Sequence, residues 1–187
     1  LVIVPTSLVY NWEAEILKFA PELRTVVISG DRKERERKIN SGIIDADIMI
    51  TSYPLLRKDI DKYKDLSFRY CILDEAQYIK NPASQNAKAA KKIKAQNRFA
   101  LTGTPMENNL EELWSIFDFI MPGYLFSREE FLEKYVRPIV KEEDEKSMQD
   151  LSMHIRPFIL RRLKTDVLNE LPDKIEHEMA AELTVEQ

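Results

Sequence analysis

The chain reads as an α/β domain, a parallel sheet with helices on both faces, continued by an all-helical stretch. Short apolar runs of β type alternate with helical patterns from the first residue to about position 100, the order that builds parallel sheets through helical crossovers. The run YCIL at 70–73 is apolar without alternation, as expected of a strand covered on both faces. Beyond position 105 the apolar period becomes helical and strand signals stop.

The elements follow in order. LVIV at 1–4 is the first strand, and because the chain opens inside it without Met, an upstream segment is expected. Pro5, Thr6 and Ser7 close the strand, with Ser7 the expected N-cap of a helix whose apolar side holds Leu8, Trp12, Ile16, Leu17 and Phe19. A strand over 24–29 turns at Gly30 and Asp31, and the charged stretch 32–40 predicts an exposed helix ended by Gly42. A strand at 46–52, a helix from 55 to about 63, the strand at 70–73, a basic helix over 83–95 and a strand from 99 complete the alternation. Leu110, Leu113, Trp114, Phe117 and Ile120 then recur at helical spacing until Pro122 and Gly123. Ser127, with Glu129 and Glu130 behind it, caps a helix through Tyr135, and helical patterns return at 146–155 and 159–168. The organisation predicted is a sheet lobe over 1–107, a helical extension over 108–170 and a return segment over 171–187. Trp and Phe in the extension are read as core.

Composition narrows the class. With 44% hydrophobic and 32% charged residues the chain matches a soluble globular protein and not a disordered one. No apolar run approaches the ~20 residues of a membrane span, and no leader pattern opens the chain. Cys71 has no partner for an internal disulfide, which suits a reducing compartment, and it makes no zinc spacing with His154 and His177, so no structural metal is expected. A net charge of −4 argues against indiscriminate coating of nucleic acid. Yet six basic residues and no acid lie between positions 78 and 98. A phosphate-facing stripe and the solvated face of an Ala-rich helix both fit that pattern.

Two adjacent acids, Asp74 and Glu75, follow the strand at 70–73. The carboxyl edge of an open α/β sheet is where ligands bind, and a pair of acids there suits a metal-bound triphosphate, one holding Mg²⁺ through water and one orienting the attacking water. A solvated acidic turn is the competing reading. The sequence further on favours the first, because a second apolar strand ends in FALTGTP at 99–105, small hydroxyl residues around a glycine.

At these residues the chain resembles the Swi/Snf family of helicase-like ATPases, superfamily-two motors that move along double-stranded DNA. Motif two stands as DEAQ followed by YIKN, motif three as LTGTP followed by MENNLEELW, and the resemblance covers nearly the whole chain. It implies the first RecA-like lobe of a P-loop NTPase fold. It assigns Asp74 to Mg²⁺ through water and Glu75 to activation of the hydrolytic water. Gln77, where the wider superfamily often has His, is assigned with Thr102, Gly103 and Thr104 to ATP coupling; an amide hydrogen-bonds but does not titrate near neutral pH.

LVIVPTSLVYNW at 1–12 is similar to motif Ia and IMITSY at 48–53 to motif Ib. Thr6, Ser7, Thr51 and Ser52 are thereby candidates for phosphate contact, with Lys80 as an added point charge. Such contacts imply double-stranded DNA bound with little sequence specificity. Motif one is the departure from the family: no glycine of the four precedes a lysine, so the phosphate cradle is missing from these residues. ATP and Mg²⁺ are therefore expected cofactors of the intact protein, and the fragment alone is expected to be inactive.

LRRLKTDV at 160–167, followed by LPDK at 171–174, resembles the segment leading to a second motor lobe that would bring an arginine finger. Arg161 and Arg162 either bridge the lobes or form surface ion pairs. The spelling of motif two suggests a bacterial protein of the cytoplasm, associated with the nucleoid, or a nuclear one if eukaryotic. A DNA-bound protein is a further expected partner, and no membrane is. The alternative function is a non-hydrolysing scaffold that binds DNA or protein through the helical extension. Two geometric expectations follow: Asp74 and Glu75 share one sheet rim with Thr102 to Thr104, and the strand from Phe99 has an unpaired or partner-covered edge, since in the family it lies beside the phosphate-loop strand.

Overall fold

The computed structural model describes residues 1–103 and 110–162. The chain divides into two compact units, 1–148 and 149–187. Five strands, β1 (Val2–Val4), β2 (Thr25–Val27), β3 (Ile48–Ser52), β4 (Ser67–Leu73) and β5 (Lys94–Ala100), make one sheet in the order β2-β3-β1-β4-β5. Every pairing is parallel, as the strand and helix alternation predicts.

Alternate residues of the strands point to opposite faces, and both faces are covered, unequally. One face carries Ile3, Met49, Cys71 and Leu73. It is buried with Ile39 of α2 (Arg32–Asp45), Leu56 of α3 (Tyr53–Asp59), Ala87, Ala89 and Ala90 of α4 (Gln85–Lys92), and Ile116 and Phe119 of α5 (Leu110–Ile120). The other carries Val2, Val4, Val27 and Ile50, packed with Leu8 and with Val9, Trp12 and Ile16 of α1 (Val9–Phe19). Apolar positions three and four apart on α1 put that stripe on the sheet. Leu17 stands about 100° round from Ile16 and is exposed, as is the terminal Phe19, so neither joins the core as the sequence pattern suggested.

β5 pairs with β4 and, among the described residues, with nothing else. The expected open edge is there. The face beside it is open too: Tyr70 and Phe99, rings 6.2 Å apart, are 44% and 52% exposed. The strand at 70–73 is therefore not buried on both faces as its composition implied. Cys71 and Leu73 face the core, while Tyr70 lies beyond the cover that α1 provides.

Other local differences have local causes. Ser7 caps nothing, because Thr6–Leu8 form a single 3₁₀ turn and α1 starts only at Val9. Gly42 does not end α2, which Asp31 caps and which runs on to Asp45. A side chain at 42 would begin 3.0 Å from Val26 Cγ1, so this glycine serves close approach of helix to strand. The basic helix is shorter than expected, running from its cap at Ser84 to Lys92, and β5 takes over at Lys94. Past α5, the capping box at Ser127 and Glu130 opens α6 (Arg128–Phe131). A π turn at Leu132–Val136 leads into α7 (Arg137–Glu142), where Pro138 has no N–H to offer the preceding turn. Trp114, Phe117, Phe119 and Phe131 are buried, as expected of core aromatics, but Phe126 and Phe158 of the same extension are exposed, so that reading holds only in part. The helix α8 (Glu145–Ile155) agrees with its pattern. The helix expected over 159–168 does not form at 159–162, where the chain has no regular structure after the 3₁₀ turn Arg156–Phe158; the rest of that stretch, the expected lobe boundary near 107 and the return segment lie outside the described residues. No described helix is long and apolar enough to cross a membrane.

One buried ion pair ties the α2 and α3 layer together. Arg35 Nε and Nη2 donate to Asp59 Oδ2 and Oδ1 at 2.5 and 2.9 Å, with the two side chains only 10% and 9% exposed. Removing one partner strands a buried charge. Asp59→Ala should therefore lower unfolding stability by about 3–5 kcal/mol in urea titrations, against less than about 1 kcal/mol for Asp47→Ala, which breaks the exposed pair of Asp47 with Arg24 at 3.3 Å.

Candidate functional site

β1, β4 and β5 run parallel in register, Ile3 beside Leu73 and Leu73 beside Ala100, so the residues that follow them emerge at one rim. The turn after β4 is bonded to both neighbours. Asp74 N–H donates to Ile3 O at 2.9 Å, Leu101 N–H to Leu73 O at 2.8 Å, and Ala76 N–H back to Leu101 O at 2.8 Å. Between these anchors Glu75 takes the left-handed conformation, φ 50° and ψ 55°. That geometry costs a non-glycine residue about 1–2 kcal/mol, and it turns the chain into the 3₁₀ segment Ala76–Ile79.

Each acid is held by hydrogen bonds. Asp74 Oδ2 accepts from the indole Nε1–H of Trp12 at 2.7 Å, and Oδ1 from the Glu75 N–H at 2.9 Å. Glu75 Oε2 accepts from Gln77 Nε2 at 2.7 Å, and Gln77 Oε1 accepts from the Thr102 hydroxyl at 3.1 Å. A relay thus runs from Glu75 through an amide to the end of the neighbouring strand. Asp74, Glu75, Gln77 and Thr102 share one rim with Gly103 next in chain, as expected; Thr104 lies outside the described residues. Tyr53, buried and stacked on Tyr78 with ring centroids 5.0 Å apart, donates its hydroxyl to Asp74 O at 2.8 Å. Burial, with the charge of Asp74 adding to it, pushes the Tyr53 phenol upward, so it stays a neutral donor.

Among the described residues neither Asp74 nor Glu75 forms an ion pair with Lys or Arg. Beside Asp74 a cleft of about 330 Å³ is lined by Leu8, Asn11, Trp12 and Glu15. Two partly exposed carboxylates lacking a basic partner, with hard oxygen donors, fit a divalent cation and the phosphates it carries.

The residues assigned to DNA separate into two groups. Thr6 and Ser7 are exposed in the turn after β1, at the same rim. Thr51 and Ser52 end β3 but are 0% and 1% exposed, because Tyr53 opens α3 at once and no loop lifts them to the surface. Their hydroxyls are not placed for phosphate contact in this conformation, which corrects that part of the sequence reading. Lys80 is half exposed and pairs with Glu112 at 2.9 Å. Trp12 and Tyr53 were legible only as core or motif residues; the available signal was that a buried Trp N–H or Tyr O–H has to find an acceptor.

A parallel α/β sheet with two adjacent acids and a neighbouring strand's hydroxyl at its carboxyl rim is the frame of a ligand-binding lobe of the doubly wound kind. The SNF2-related domain family model matches residues 1–187. The chain is 41% identical over 194 residues to TATA-binding protein-associated factor MOT1 of Saccharomyces cerevisiae, covering 98% of this chain and 10% of that protein. It is 44% identical over 186 residues to the uncharacterized ATP-dependent helicase MG018 of Mycoplasma genitalium, covering 100% of this chain and 18% of that one. Among solved structures, the Sulfolobus solfataricus SWI2/SNF2 ATPase core in complex with dsDNA superposes with a TM-score of 0.80 at 44% identity, over 94% of this chain and 36% of that chain. The chain belongs to the Snf2 family and forms its first RecA-like lobe, spanning a fifth or less of these two curated relatives.

The relay yields a measurable coupling. In a double-mutant cycle, Gln77→Ala and Thr102→Val should be non-additive in unfolding free energy by about 0.5–1.5 kcal/mol, the worth of the shared hydrogen bond. Full additivity would mean that the bond does not form in solution.

Proposed function

We propose that this lobe serves an ATP-driven motor that tracks along double-stranded DNA and remodels DNA or what is bound to it. The observation that carries the reading is the rim itself: Asp74 and Glu75 fixed side by side, with Glu75 linked through Gln77 to Thr102. Asp74 would hold Mg²⁺ through water, and Glu75 would accept a proton from the attacking water. When bound, Mg²⁺ neutralises charge on the β- and γ-phosphates. The left-handed backbone at Glu75 supports the assignment, since strain of this kind persists where a side chain must be aimed.

Gln77 and Thr102 would report the state of Glu75 to the end of β5. The phosphate loop has to come from outside these 187 residues, because no Gly-Lys pair is present, and the open edge of β5 is the flank where the family places that strand. Thr6, Ser7 and main-chain N–H groups at the rim would meet the DNA backbone, giving binding without base readout. Support for duplex DNA comes from the likeness to an ATPase core solved with dsDNA. Support for a DNA-bound protein as the remodelled partner comes from the relatives named as TATA-binding protein-associated factors.

The test uses the longer protein that carries this lobe. Glu75→Gln should reduce DNA-stimulated ATP hydrolysis by roughly 10²–10⁴-fold, the contribution of a positioned general base, while ATP still binds. Turnover equal to that of the unmutated protein would remove Glu75 from the chemistry. A full-length protein that binds duplex DNA and never hydrolyses ATP would favour the scaffold instead.

A further inference from the structure

We infer that Trp12 is a positioning residue for Asp74: its indole N–H fixes the carboxylate in the orientation that receives hydrated Mg²⁺. The inference rests on the proposed role of Asp74 and goes beyond it by naming the group that sets that carboxylate's direction.

Three observations carry it. A carboxylate on a strand end has a free torsion about Cβ–Cγ, and two donors on different oxygens remove that freedom. Here the donors are the Glu75 N–H on Oδ1 at 2.9 Å and Trp12 Nε1–H on Oδ2 at 2.7 Å, a short bond of charge-assisted type. Second, the Glu75 N–H is local and would follow Asp74 wherever the turn moved, whereas Trp12 comes from a helix 62 residues away in sequence. Its ring is itself packed against the α1 side of the sheet with Val2, Val4, Val9, Val27 and Ile50, so it supplies a fixed reference. Third, the donor is neutral. A Lys or Arg in its place would cancel the charge that attracts the cation, while an indole N–H orients the carboxylate and leaves its charge in place. The cleft lined by Leu8, Asn11, Trp12 and Glu15 keeps Asp74 approachable beside the ring. Groups that hydrogen-bond a metal-binding carboxylate commonly matter for metal affinity by about 10–100-fold when lost.

The experiment uses the full-length protein at pH 8, with a fluorescent ADP analogue titrated at stepped Mg²⁺ concentrations and without metal. Two substitutions remove opposite things. Trp12→Phe keeps the packed ring and removes the N–H. Trp12→His keeps an N–H at the position of the indole nitrogen and removes the benzo ring, and at this pH it is largely neutral.

Trp12→Phe should raise the Mg²⁺ concentration for half-maximal tightening by roughly tenfold and leave metal-free ADP affinity unchanged. Trp12→His should stay within about threefold of the unmutated protein. In an Asp74→Asn background, Trp12→Phe should change nothing further. The proposal is overturned if Trp12→Phe leaves the Mg²⁺ dependence alone, if it weakens ADP equally with and without metal, or if only the His variant loses the response, since packing would then be the role of Trp12. If Asp74→Asn itself leaves the Mg²⁺ dependence intact, the reading of Asp74 fails and takes the proposal with it. A normal response to Asp74→Asn with none to Trp12→Phe sinks the proposal alone.

Discussion

Three main-chain hydrogen bonds at the end of β4 are the constraint on which the site depends. Asp74 N–H to Ile3 O, Leu101 N–H to Leu73 O and Ala76 N–H to Leu101 O fasten one short turn to the strands on either side of it. These bonds fix the main chain from which the two acids project, and the side-chain hydrogen bonds then set where each carboxylate points. The left-handed residue between the anchors is tolerable for the same reason: the surrounding bonds over-determine it. Asp74 and Glu75 are thus a property of the sheet more than of the loop, and sites built on regular elements hold their geometry better than sites on free loops.

The side-chain bonds then divide the two acids between different parts of the lobe. Asp74 is tied through Trp12 to α1 and through Tyr53 to α3, while Glu75 is tied through Gln77 to the end of β5. α5 braces the same region from below, with Ser115 Oγ donating to Ile79 O at 2.6 Å, Glu112 paired with Lys80 and Asp118 with Lys91. Those ion pairs also moderate the basic stretch at 78–98: Lys80 and Lys91 have acidic partners, while Lys88, Lys92 and Lys94 remain exposed. A helix carrying such a mixture reads as much as a solvated face as a phosphate stripe.

Much of the architecture was legible because it rests on periodicity. The alternation of apolar strands with helical stripes specifies the parallel sheet, and the carboxyl-edge rule puts Asp74, Glu75 and Thr102 at one rim. What the pattern missed needed three-dimensional neighbours. Gly42 looks like a helix terminator until Val26 is found against it. Thr51 and Ser52 look like surface hydroxyls until α3 is seen to start directly behind them. Tyr70 looks buried because composition cannot say that the cover from α1 reaches Ile72 and stops short of Tyr70. Trp12 looks like one more apolar position on an amphipathic helix, since a helical stripe reports which side faces the core and not where an indole N–H ends.

The most direct test is a crystal structure of the longer protein with Mg²⁺ and a non-hydrolysable ATP analogue. The account predicts a hydrated Mg²⁺ beside Asp74, the γ-phosphate within reach of a water held by Glu75, and the Trp12 to Asp74 hydrogen bond retained. Nucleotide bound away from the rim formed by β1, β4 and β5, or Asp74 and Glu75 turned from the phosphates, would contradict it.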